Sequence, residues 1–172
     1  MSETKIETSE VVTKEPAVEV GKVAAATDLS SEKYIAVVQV RGLVGVKATV
    51  KDTLRMLGLT RANQCVLIEN KPSIKGMLLK VKDYTTFGPV KMDLVNKLVA
   101  KRGIEYEGRL QDSKSKYTYS NFELNGKKYK KCFKLNPPRK GFGRAGIKRS
   151  FASGGALGDR GAKIADIIER MI

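Results

Sequence analysis

The chain has no histidine among its 172 residues. That removes the commonest general base near neutral pH, Ser-His-Asp and Cys-His nucleophile activation, and any zinc site with a histidine ligand. Tryptophan is also absent, and Phe and Tyr together make up 6% of the chain. The two cysteines, Cys65 and Cys132, lie far apart and form no CxxC pair. Cys65 belongs to the apolar run Cys65-Val66-Leu67-Ile68 and reads as an inert core residue, which fits a reducing cytosolic compartment. No apolar run approaches the ~20 residues of a membrane span. The polar, acidic start MSETKIETSE is not a secretory signal. These absences argue against an enzyme, a metal site, a cofactor, a small-molecule substrate and a membrane partner.

Acid is missing from one long stretch. Between Leu124 and Gly158 there are ten Lys or Arg, seven Gly and the pair Pro137-Pro138, with no Asp or Glu. A cationic stretch so poor in apolar periodicity is not expected to bury itself as a core, and alone in water it would repel itself and stay open. It makes sense against a dense polyanion, and folded RNA is the natural one. The formal charge is +15 overall. Residues 1–33 hold four Lys against seven acids and sum to −3, so the remainder carries +18. Residues 1–33, poor in aromatics and interrupted by Pro16, read as an acidic flexible tail that is either solvated or docks back on the basic body.

The periodicity after Tyr34 is that of an α+β domain. Tyr34 to Val40 is a short β-branched strand, followed by a loop with Gly42 and Gly45. Val46, Val50, Leu54 and Leu57 form one face of a helix over 46–57, with Gly58 at its left-handed end. Lys47, Lys51 and Arg55 form a basic ridge on another face, either solvated or in contact with phosphate. Gln64 to Glu69 is a second strand. Pro72 opens a helix whose apolar face is Ile74, Met77, Leu78 and Val81. Tyr84 to Phe87 is a third strand closed by Gly88-Pro89. Asp93 to Lys101 is a helix that buries Leu94, Val95, Leu98 and Val99 and stops at Gly103. Beyond it, Tyr117 to Tyr119 and Lys130 to Leu135 read as short strands, with Asn125-Gly126 a turn between them. A closing helix over 160–171 carries the stripe Ile164, Ile167, Ile168 and Met171, with Asp159 as N-cap. Helices alternating with strands favour, by pattern alone, a parallel sheet.

Gly141, Gly143 and Gly146 match GxGxxG. A dinucleotide site needs that motif directly after a buried strand and at the opening of a helix. Here Asn136-Pro137-Pro138-Arg139-Lys140 precedes it and Ile147-Lys148-Arg149-Ser150 follows, so a nucleotide-binding enzyme is the weaker alternative. In an RNA-threading loop the same glycines expose backbone N–H groups to phosphate, and Arg139, Lys140, Arg144, Lys148 and Arg149 add charge. Phe142 and Phe151 either stack on unpaired bases or pin the loop to its own domain.

The segments YIAVVQVRGLVGVKATVKDTLRMLGLTRANQCVLIEN and KPSIKGMLLKVKDYTTFGPV resemble the large-subunit ribosomal protein L-thirty family. The continuation PPRKGFGRAGIKRSF and GGALGDRGAKIADIIERMI resembles its longer archaeal members and the eukaryotic cytosolic L-seven. The resemblance implies a three-stranded antiparallel sheet with two helices on one face, similar to a ferredoxin-like fold, over residues 34–103. To this it adds a third helix and a basic Gly-rich extension over 104–172 ending in a helix. It also implies a structural constituent of the large ribosomal subunit, cytoplasmic, bound to rRNA near 5S rRNA and beside neighbouring ribosomal proteins. A free RNA-binding or RNA-chaperone protein is the other reading. By the resemblance, Arg41, Gly42, Lys47, Lys71, Lys75, Gly76, Arg139, Lys140, Gly141 and Lys148 face RNA. Charge and position add Lys51, Arg55, Lys127, Lys128, Lys130, Lys131, Arg144 and Arg149 as RNA-facing candidates.

Overall fold

The computed structural model describes residues 33–119 and 121–172. The acidic segment expected over residues 1–33 lies outside the described residues, apart from Lys33.

Strand β1 (Tyr34–Gln39) is the centre of the sheet and is buried from Ile35 to Gln39. Helix α1 (Ala48–Leu57) starts two residues later than its periodicity suggests, because Lys47 keeps an extended ψ of 138°. Gly58 ends it at φ 85°, its N–H donating to the Arg55 carbonyl at 2.9 Å. Strand β2 (Gln64–Glu69) and helix α2 (Pro72–Val81) follow with the expected bounds. Strand β3 (Thr85–Val90) does not close at Gly88-Pro89 but runs through it, pairing with β1 as far as Tyr34↔Val90. Helix α3 (Met92–Arg102) buries the expected Leu94, Val95, Leu98 and Val99.

Both β2 and β3 run antiparallel to β1 and flank it. The excursion through α1 leaves and re-enters the sheet at the same end, where the Asn63 N–H donates to the Gln39 carbonyl at 2.8 Å. That return makes β2 antiparallel to β1. The α2 crossover then carries the chain over β1, so β2 and β3 are parallel to each other but separated by β1. This is a split β-α-β unit. The sequence pattern alone detects all three strands but not the placement of β1 between β2 and β3; the antiparallel sheet is the one the family resemblance implied.

Side chains alternate across this sheet, and each face is covered. Ile35, Val37, Val66, Ile68 and Phe87 pack under α1 and α2 with Leu54, Leu57, Leu78 and Val81. Ala36, Val38, Cys65 and Leu67 pack under α3 and the closing helix.

The basic stretch does not stay open. Strands β4 (Asn121–Leu124) and β5 (Lys127–Lys130) form a hairpin across Asn125-Gly126, at φ 51° and 77°. The strand expected over 130–135 is therefore divided, and β6 (Cys132–Lys134) joins the main sheet beside β2. Tyr117–Tyr119 makes one bridge, Gln111↔Thr118, rather than a strand. The extension buries itself because Phe133 and Leu135 point inward while Lys134 between them points out, and Ala156 and Leu157 of the Gly-rich end are buried as well. Strand β7 (Gly158–Asp159) pairs parallel to β3, giving the order β6-β2-β1-β3-β7. Asp159 Oδ1 accepts from the Gly161 N–H at 2.8 Å, but a 3-10 turn over Gly161–Lys163 intervenes, so α4 (Ile164–Met171) begins at Ile164 rather than at the expected Arg160 and Asp159 is not its N-cap. The stripe Ile164, Ile167, Ile168 and Met171 is fully buried. Gly88 admits this helix: a Cβ there would collide with the Gly161 carbonyl and lie 3.0 Å from Ile164 Cβ.

Candidate nucleic-acid interface

The residues flagged in the sequence fall into several groups. The sharpest forms at the end of β1. The Arg41 N–H donates to the Tyr84 carbonyl at 3.1 Å, and Nη1 donates to the Asp83 carbonyl at 3.3 Å. Its guanidinium lies 5.1 Å from the Tyr84 ring centroid. These contacts hold a flexible cation in one orientation, with remaining N–H groups free for an anion. The extension closes on the same place. Arg41, Lys82, Asp83 and Tyr84 face Lys148, Ser150, Leu157 and Gly158 across a cleft of about 460 Å³. The fold thus brings Arg41 and Lys148 together from opposite parts of the chain. Lys82 and Tyr84 were missed in the sequence, where the Lys-Asp-Tyr turn after α2 carries no pattern of its own.

Arg144 and Arg149 flank a neighbouring recess of about 440 Å³ with Ala145, Ser153 and Gly154. Arg139, Lys140 and Gly141 are exposed on the same loop. The glycines serve the loop's own fold. A Cβ at Gly143, whose φ is 156°, would sit 3.1 Å from the Gly154 carbonyl oxygen, and one at Gly155 would collide with the Arg149 carbonyl. The N–H groups of Gly141, Ala145 and Gly146 already donate to the Pro138, Gly154 and Gly143 carbonyls, so these three are not offered to phosphate. Strand β6 ends well before the loop, and only a 3-10 turn at Phe151–Ser153 follows it. GxGxxG here lacks the strand–turn–helix geometry of a dinucleotide site.

Phe142 and Phe151 pin the loop. Phe142 packs against both the main core and the small cluster of Val40, Ala156 and Leu157. Arg160, read in the sequence as a helix start, is buried beneath the loop. It donates to Thr86 Oγ1 at 3.0 Å, to the Phe142 carbonyl at 3.0 Å and to the Ala156 carbonyl at 3.2 Å. Burial, with a smaller contribution from Arg170, lowers its pKa, yet a guanidinium remains charged throughout the physiological range.

The remaining cations are more dispersed. Lys71 precedes α2 and pairs with Glu69 at 2.8 Å, which holds that carboxylate below its ordinary pKa. Lys71 and Lys131 share a cleft of about 560 Å³ with Glu69, Glu123, Tyr34 and Asn121. On the hairpin, Lys127 pairs with Glu105 at 3.4 Å and Lys128 with Glu123 at 3.3 Å, while Lys130 is exposed. Such exposed pairs are weak and exchange readily. Lys47, just before α1, and Arg55 on it are exposed, and Lys51 is half-buried. Gly42, Lys75 and Gly76 are exposed, and a Cβ at Gly42 or Gly76 would meet nothing within 4 Å. Among the described residues there is no acidic, cysteine or histidine cluster able to hold a metal ion. None of their helices is long and apolar enough to cross a membrane.

The comparisons with known proteins agree with this architecture. Residues 35–85, from β1 to the start of β3, match the family model of ribosomal protein L30p/L7e. Large ribosomal subunit protein uL30 of Methanopyrus kandleri is 45% identical over 148 residues, covering 77% of this chain and 99% of the relative. The chain belongs to this family. The uL30 of Methanococcus maripaludis is 39% identical over 151 residues, covering 80% of this chain and 98% of its own. That of Methanosphaera stadtmanae is 39% identical over 152 residues, covering 80% and 99%. At 77–80% coverage of this chain these alignments take in parts of both the split β-α-β unit and the extension.

Proposed function

We propose that the chain is a structural constituent of the large ribosomal subunit. Its work is to neutralise phosphate and hold rRNA segments in relative position. The observation that carries this is the cleft in which Arg41 of the core and Lys148 of the extension face one another. Arg41 is held in one orientation by its contacts with Asp83 and Tyr84, and the fold sets the exposed Lys148 across the cleft from it, so the two can bridge phosphates. The net charge of +15 supplies the long-range attraction. In this reading residues 34–103 are the docking unit and 104–172 widen its cationic surface. The RNA is large-subunit rRNA in the neighbourhood of 5S rRNA, with neighbouring ribosomal proteins alongside and the cytoplasm as the compartment. No catalysis belongs to this role. The test is sedimentation of the tagged protein with large subunits through a high-salt gradient. Retention in the subunit peak is expected. Release to the top of the gradient would favour a free RNA-binding protein.

A further inference from the structure

We propose that the hairpin arm of residues 109–119 is a stacking platform for unpaired RNA nucleotides, with Tyr117 and Tyr119 as its rings. The inference deepens the RNA-binding reading above and rests on it.

The chain has six Tyr and five Phe. Among the described residues every ring is buried or half-buried except Tyr117, 64% exposed, and Tyr119, 47% exposed. Phe142 and Phe151, the rings expected from the sequence to reach bases, are committed to the loop's own packing. The two tyrosines are held outward by a defined backbone. The Asp112 N–H donates to the Tyr117 carbonyl at 3.0 Å and the Tyr119 N–H to the Leu110 carbonyl at 2.9 Å. They flank Thr118, which bridges Gln111 in antiparallel fashion, so the rings share one side of the arm. The tip is closed by the Ser115 N–H on the Asp112 carbonyl at 2.8 Å, with Ser115 at φ 52°.

The base of the arm is equally fixed. The Tyr106 hydroxyl donates to the Arg109 carbonyl at 2.9 Å. The Tyr106 N–H donates to the Lys128 carbonyl at 2.9 Å, which ties the approach to the β4–β5 hairpin. The Tyr106 ring packs over Gly108, where a Cβ would lie 2.8 Å from its Cζ and hydroxyl and the ring would have to shift.

Charge identifies the partner. Arg109, Lys114 and Lys116 sit on the arm against a single acid, Asp112, whose Oδ1 accepts from the Ser113 N–H at 2.9 Å. Lys116 Nζ lies 5.8 Å from the Tyr117 ring centroid. A nucleotide stacked on that ring would have its phosphate within reach of the ammonium. Exposed rings interleaved with cations suit single strands, whose bases present free π-faces, and not duplex RNA, whose bases are already stacked.

The test uses the full chain and two probes, single-stranded oligoadenylate and the same oligomer annealed to its complement. With no tryptophan in the chain, the emission comes from its six tyrosines, and the difference between wild type and the double variant isolates Tyr117 and Tyr119. The wild type should lose emission on the single strand. The double variant Tyr117→Ala/Tyr119→Ala should bind the single strand at least about tenfold more weakly, with duplex affinity unchanged. Tyr117→Phe/Tyr119→Phe should keep wild-type affinity. Equal single-strand affinity of the alanine variant and the wild type overturns the arm while leaving the RNA reading intact. A parallel loss on both probes also overturns it, since that means general charge or folding. If the alanine variant binds both RNAs normally but falls out of large subunits, the arm docks on protein and the proposal fails. No binding of either RNA by the wild type defeats the RNA reading itself.

Discussion

Arg160 lies with its guanidinium carbon 4.7 Å from the ring centroid of Phe151. The Arg160 N–H also donates to the Phe87 carbonyl of β3 at 2.9 Å. One residue therefore ties the cationic loop, through Phe142, Ala156 and Phe151, to strand β3 of the central sheet. Its side-chain partners are carbonyls, a hydroxyl and a ring face, so its charge stays available to the surface field while its geometry organises the loop.

Arg160→Ala strands those buried acceptors and removes the stack, and should cost about 3 kcal/mol. Arg160→Lys should recover little, because an ammonium cannot match the planar fork. Urea unfolding gives the stability, and limited proteolysis within residues 139–157 reports the loop. Wild-type resistance of the alanine variant would refute the anchoring role.

Two glycines should respond in opposite directions. Gly88→Ala forces the Gly161 turn and Ile164 off β3 and should destabilise by about 1–3 kcal/mol. Gly76→Ala places a methyl in open space inside α2 and should stabilise by about 0.5–1 kcal/mol. Outside its own helix backbone and chain neighbours, no atom of the described residues lies within 4 Å of a Cβ at Gly76, so packing within the fold does not require glycine there. Gly76→Leu should leave folding intact, so any defect it produces must be read in large-subunit assembly. Thermal unfolding of the three variants checks the ranking.

The helices were legible in the sequence because their apolar spacing is regular and Pro72, Gly58 and Gly103 mark their ends. The strand directions were not legible in the pattern alone, which favoured parallel strands, whereas the family resemblance implied the antiparallel pairing that β1 makes with β2 and β3. They depend on which end of the sheet receives the chain at Asn63, and local pattern does not encode this. The extension was misread as open because its core contacts are isolated residues without a repeat, Phe133 and Leu135 set among cations and Leu157 among glycines and Ala156. Within the site, Arg41 and Lys148 were each visible as basic loop residues, but their meeting is a tertiary fact. Arg160 had no signal, since a buried arginine at a helix start looks like any exposed one. The outward rings of Tyr117 and Tyr119 were read as ordinary strand residues for the same reason.

The thiols should differ sharply. Burial, reinforced by nearby Cys132, raises the Cys65 pKa far above the ordinary thiol value. Burial also raises that of Cys132, with Lys134 opposing. Maleimide should therefore label half-buried Cys132 first and Cys65 only on unfolding. The linkage has a definite sign. Above about pH 8.5 the unfolded thiol ionises while the folded Cys65 stays protonated, so stability falls as pH rises through that range. Cys65→Ala should flatten this alkaline decline in urea midpoints. An unchanged decline would assign it to other groups.

The central claim is that the extension's cations contact RNA phosphate. Arg139, Lys140, Arg144, Lys148 and Arg149 are exposed, and among the described residues none of their side chains forms an ion pair. Changing all five to Gln should leave the fold intact by circular dichroism. The decisive measurement is affinity for large-subunit rRNA against salt concentration, wild type beside the five-fold variant. If all five touch phosphate, the slope of log affinity on log salt flattens by up to about four units, at ~0.7–0.9 per contact. An unchanged slope would contradict the account.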